Sequence, residues 1–166
     1  MTMLHSTNIK QLLQRTLEPT HTPVSTYQIQ SAVLVSRKSG SIVSFVTNSV
    51  SKVPSNDSIN NLKMMALLTK EKWSEDEQDP KAQATKSCYH VTINTPDSGS
   101  AASSSQTTSR IYTFELEDLH TCVAQIPGSD LLLLLIGDSS YPHGLLVMRL
   151  KSALGAFQDV YGYKLD

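Results

Sequence analysis

DSINNLKMMALLTKEKW, from Asp57 to Trp73, is the stretch whose reading decides the fold. As a helix, with each residue about 100° after the last, it brings Ile59, Leu62, Ala66 and Trp73 onto one arc, with Met65 beside them. Leu68, Met64 and Leu67 continue round the far side, and Lys63 and Lys70 hold the remaining wet strip. One core cannot hide all of that surface. A helix apolar on two sides is expected to pack on its own sheet with one side and on something else with the other. The expectation is therefore a protein that works by contact, not by chemistry.

The flanking segments supply the sheet. Residues 5 to 17 place Ile9, Leu12, Leu13 and Leu17 on one stripe, with Ser6 or Thr7 as N-cap and Pro19 as a stop, which predicts a short amphipathic helix. Tyr27 to Ser36 alternates at Tyr27, Ile29, Val33 and Val35. With the turn residues Ser39 and Gly40 and the run Ser41 to Thr47 it reads as a β-hairpin. CYHVTINT, from Cys88 to Thr95, alternates as a strand, and the polar stretch Ser74 to Ser87 before it reads as a solvated helix end and loop. The segments RIYTFELED, HTCVAQIP and SDLLLLLIGD read as an antiparallel meander. Leu131 to Leu135 shows no alternation, so that strand is expected to be covered on both faces, with helices on both sides of the sheet. The closing segment supplies one of them, with Pro142 in its first turn and a stripe through Leu146, Leu150, Ala153, Leu154, Phe157 and Tyr161. The serine tract from Asp97 to Ser109 cannot build a core and is read as a loop within one domain spanning residues 1–166.

Bulk composition excludes several functions. At 166 residues the chain can bury a core without disulfides or metal. Its net charge of -1 and scattered arginines give no footprint for nucleic acid. Cys88 and Cys122 form no CxxC pair, in keeping with a reducing compartment. The opening MTMLHSTNIK has no signal-peptide apolar core, Thr2 stands where myristoylation needs glycine, and the apolar run Leu131 to Ile136 is too short to cross a bilayer. Direct membrane insertion is not expected.

Two patterns invite a chemical reading. Cys88-x-His90 and His120-x-Cys122 could pair two strands into a zinc site, but closed zinc sites draw ligands from knuckles, and none is present. Ordinary strand residues are the preferred reading. Gly137-Asp138-Ser139 is like the nucleophile block of GDSL-type esterases, with His143 and His120 as possible bases, but the companion blocks are missing and a polar turn accounts for it. No P-loop, dinucleotide fingerprint or HExxH motif occurs. No catalytic residue, cofactor or metal is assigned.

The order α-β-β-α-β-β-β-α resembles the roadblock light-chain (LC7) fold. The segments NNLKMMALLTKEKWSEDE, YTFELEDLHTCVAQIPGSDLLLLLI, PHGLLV and GYKL, with the opening MLHSTNIKQLL, resemble the small roadblock subunits of the yeast EGO complex, the fungal counterpart of Ragulator. The likeness lapses over residues 97–109. It implies an α/β (α+β) domain with a five-stranded antiparallel sheet between one helix and two, which dimerises through the central helix and an edge strand with itself or a sister subunit. It further implies a non-enzymatic scaffold on the cytoplasmic face of the vacuolar or late endosomal membrane. There a lipidated anchor subunit holds the assembly, which carries a Rag-type GTPase heterodimer and relays amino-acid status to TORC1. The working surface expected on this basis is Leu62, Met64, Met65 and Leu68 on the helix, with Tyr112 and Phe114 on RIYTFEL as the pairing edge. The extra strand CYHVTINT competes for that edge. Two other classes remain open: a dynein light chain roadblock-type adaptor and a small serine hydrolase.

Overall fold

The structure, a computed structural model, describes residues 6–18, 20–21, 23, 26–27, 29–48, 56–78, 88–95 and 105–164. Helix α1 (Ser6–Thr16) is followed by the two-residue strands β1 (Thr20–His21) and β2 (Thr26–Tyr27), which pair with each other. The hairpin β3 (Ile29–Ser36) and β4 (Ile42–Thr47) precedes the long helix α2 (Asn56–Gln78). Then come β5 (Cys88–Thr95), β6 (Ser105–Leu116), β7 (Leu119–Gln125), β8 (Leu131–Gly137), helix α3 (His143–Ala156) and a short 3-10 turn at Gln158–Val160.

The main sheet has the order β4-β3-β8-β7-β6-β5, antiparallel throughout. Every residue of β8 is buried, because this strand lies mid-sheet with helices over both faces. Leu131, Leu133 and Leu135 pack with Ile9 and Leu13 of α1 and with Leu146, Leu150 and Leu154 of α3. Leu132, Leu134 and Ile136 pack with Leu62, Ala66 and Trp73 of α2. Alternation is absent from the sequence of β8 because both of its faces must be apolar.

Two local devices fix the layers. At the β3–β4 turn Gly40 adopts φ +77°, where a side chain is strained, and a Cβ there would lie 2.9 Å from Leu67 Cδ2 of α2. On the other face, Arg149 of α3 donates to the carbonyls of Thr16 (3.1 Å), Arg15 (3.2 Å) and Glu18 (2.6 Å), supplying donors that the C-terminal end of α1 lacks.

Three expectations need correction. The sheet has six strands, not five, because CYHVTINT joins it outside β6: Ile93 and Val91 gain cover against the α1–α3 side of the core. RIYTFEL is consequently not the edge, since β5 pairs with β6 from Thr95↔Ser105 to Cys88↔Tyr112. Residues 105–109 of the serine tract are strand, because a ladder satisfies backbone groups whatever the side chains offer; residues 97–104 lie outside the described residues. In keeping with the helix end read from Ser74 onward, the central helix runs past Trp73 to Gln78, supported by Lys72–Asp76 (3.5 Å) and by Arg37–Glu77 (3.2 Å) to the β3–β4 turn.

Candidate functional site

Helix α2 is laid on the sheet by residues at helical spacing: Leu62, Ala66, Thr69, Trp73 and Asp76 are all buried. Thr69 fits in this apolar row because its hydroxyl donates to the Met65 carbonyl at 2.7 Å, so no polar atom is stranded. Directly opposite, Met64 is 63% exposed, Leu67 50% and Leu68 45%. Asn60, Asn61, Lys63, Glu71 and Lys72 rim them, all exposed. An apolar stripe rimmed by polar groups is the form of a surface made for contact.

The residues anticipated for contact divide. Met64 and Leu68 lie on the outward face, and Met65 is half-buried at its margin. Leu62, at 6% exposure, belongs to the inward row. Tyr112 is buried as well, its ring edge-on to Trp73 at 5.3 Å, with the Arg110 guanidinium 5.9 Å from both rings. Burial pushes the Tyr112 hydroxyl up to about 12, and the Cys88 thiol near it is raised by burial too. Phe114 is half-buried on the α2 side, two residues past Tyr112, whose pairing with Cys88 is the last β5–β6 pair among the described residues. Leu67 is the outward residue missing from the expected set. Its place beside Met64 on the wheel, on the side away from Leu68, was the available signal.

The two chemical patterns come apart in space. Cys88 belongs to the α2 side of the sheet, whereas Cys122 is buried on the α3 side, with its thiol toward the Leu146 carbonyl at 3.6 Å. Burial raises the Cys122 thiol well above its usual range. Cys88 Sγ and His90 Nε2 are 4.0 Å apart on the edge strand, and β6 stands between them and His120. In the Gly137-Asp138-Ser139 block the Asp138 carboxylate accepts from the Ser140 N–H at 2.9 Å and from the Ser140 hydroxyl, as an Asx turn requires. Ser139 is exposed, and both histidines lie toward Glu115.

A meander-centred antiparallel sheet with one helix on one face and two on the other defines a roadblock-like α+β domain, here carrying a sixth strand. The solved structures that share it include an MglB with a tetrameric arrangement (TM-score 0.60, 16% identity, 96% of this chain and 93% of that one). The gliding protein MglB from Thermus thermophilus matches nearly as well (TM-score 0.59, 15% identity, 96% and 94%). In sequence, the family model described as Protein SLM4 matches residues 3–165. Protein SLM4 of Saccharomyces cerevisiae is 46% identical over 173 aligned residues, covering 99% of each chain. The chain belongs to the SLM4 family.

Proposed function

We propose that this protein is a non-enzymatic scaffold subunit of an EGO/Ragulator-like complex, pairing with a copy of itself or a sister roadblock subunit to hold a Rag-type GTPase heterodimer for amino-acid signalling to TORC1. The observation that carries the reading is the outward stripe Met64, Leu67 and Leu68, which the described residues leave open on a helix whose other side is already committed to the core. Near-complete alignment with the SLM4 protein of yeast supports it, as does the resemblance of the central helix and meander to EGO subunits. Peripheral residence on the vacuolar membrane, through a lipidated subunit, is part of the proposal. No helix among the described residues is long and apolar enough to cross a bilayer.

Tagged chain at native abundance, recovered from vacuolar membranes, tests this directly. Co-recovery of Rag-type GTPases and a lipidated anchor is expected. Recovery of dynein intermediate chain in their place would assign the protein to the transport class, and labelling of Ser139 by a fluorophosphonate would assign it to the hydrolases.

A further inference from the structure

Three ligand-bearing side chains far apart in the chain meet where β6, β7 and α3 converge. Glu115 stands directly opposite His120 in the β6–β7 ladder, and His143 opens α3 above them. Glu115 Oε1 lies 3.5 Å from His120 Nε2 and 3.8 Å from His143 Nε2. The ligand atoms of the three residues all fall within 4.8 Å of one another.

The hydrogen bonds around the trio make the spacing meaningful. His120 Nδ1 is 2.7 Å from the Tyr141 carbonyl oxygen, which can only accept, so Nδ1 carries the proton and the neutral ring presents a lone pair at Nε2. That lone pair faces a carboxylate oxygen, and two such acceptors are held together favourably only when a proton or a metal cation lies between them. A backbone carbonyl on the far nitrogen is also how metal-ligating histidines are oriented. His143 Nδ1 is enclosed and has no hydrogen-bond partner among the described residues, which do not fix the ring from behind.

We propose that Glu115, His120 and His143 form a site for a zinc-type divalent cation, in place of the expectation that this chain holds no metal. Two imidazoles and one carboxylate suit a borderline ion, whereas calcium and magnesium favour oxygen donors throughout. Glu115 is 65% exposed, which leaves an entry path and room for water as a fourth ligand. The two rings are stacked at 4.1 Å and 14°. Near-parallel planes cannot aim both lone pairs at one ion, so binding swings the half-exposed His143 out of the stack and draws the donors to about 3.3 Å apart, the tetrahedral edge for bonds of about 2.0–2.1 Å. The ion ties the β6–β7 hairpin to the start of α3. It is independent of the scaffold reading.

Titration of the purified full chain with zinc chloride in chelator-free buffer, followed by calorimetry and thermal melting, tests it. One ion per chain and a melting temperature that climbs with zinc concentration are expected. Glu115→Gln and His143→Ala should each weaken binding by about tenfold or more, with an unchanged circular dichroism spectrum, and Cys88→Ser should leave it intact. Imidazole resonances of both His120 and His143 should move on saturation. Absence of binding, affinity unchanged from the parent chain in the Glu115 and His143 variants, or loss of binding in Cys88→Ser would each overturn the assignment; the last would place the ion at Cys88 and His90.

Discussion

Leu68→Asp gives the sharpest test of the α2 surface. Met64, Leu67 and Leu68 together expose about one and a half side chains' worth of apolar surface, worth roughly 2–5 kcal/mol per protomer if fully covered. In a symmetric pair both copies contribute, giving roughly 5–9 kcal/mol, against an association cost of about 4–15 kcal/mol. Covering the stripe is thus of the same size as the association cost and leaves little surplus. Aspartate at position 68 removes about 1 kcal/mol of burial per protomer and forces a carboxylate into an apolar seam, which costs several kcal/mol more. A loss of about 3 kcal/mol or more means association weakened by over ~100-fold. The fold itself should hold, because Leu68 is 45% exposed in the single chain and exposed substitutions usually cost within about 0.5 kcal/mol. Sedimentation velocity across a concentration series, with melting curves alongside, reads both effects. A wild-type chain that stays single at high concentration, or a variant that keeps the dimer mass, would refute the reasoning.

Three further outcomes follow from the packing. Gly40→Ala should cost about 1–2 kcal/mol in urea unfolding, since the positive φ and the 2.9 Å approach to Leu67 Cδ2 act together. Arg149→Ala strips three carbonyls at the end of α1 of their donor and should cost about 1–3 kcal/mol, with hydrogen exchange rising in α1 before the sheet. Stability should fall at alkaline pH. Tyr112 holds its proton to about 12 in the folded chain but releases it near 10 when unfolded, so its contribution is complete below about pH 10 and is lost as pH rises through 12. The raised Cys122 thiol adds to the loss from about pH 9 upward. Urea midpoints measured against pH check the slope, and Tyr112→Phe should flatten its upper part.

Much of the scaffold is legible along the chain because its signals are local. The α1 stripe, the β3–β4 hairpin with Gly40 at the turn, the meander and the unalternating β8 each announce themselves within a dozen residues. The two apolar arcs of α2 were equally plain, and Met64 and Leu68 do lie outward. The arcs alone did not say which one the sheet would take, and Leu62 went inward. The reason is geometric: periodicity fixes which residues share a side of a helix, while the choice of side depends on what the sheet offers beneath it.

Non-local pairing is where the sequence ran out. CYHVTINT and residues 105–109 have no motif that says they will find each other, so the true edge of the sheet and the burial of Tyr112 emerged only when the ladder closed. The same holds for Glu115, His120 and His143, which come together through a β register and a helix start that the linear order keeps apart. The sequence by itself determined the helices, most of the strands, the layer count and the excess of apolar surface on α2, because hydrophobic period and turn chemistry act over neighbouring residues. Only the tertiary structure decided which surface remained open and which polar groups met, because these depend on contacts between segments whose spacing along the chain carries no record of their distance in space.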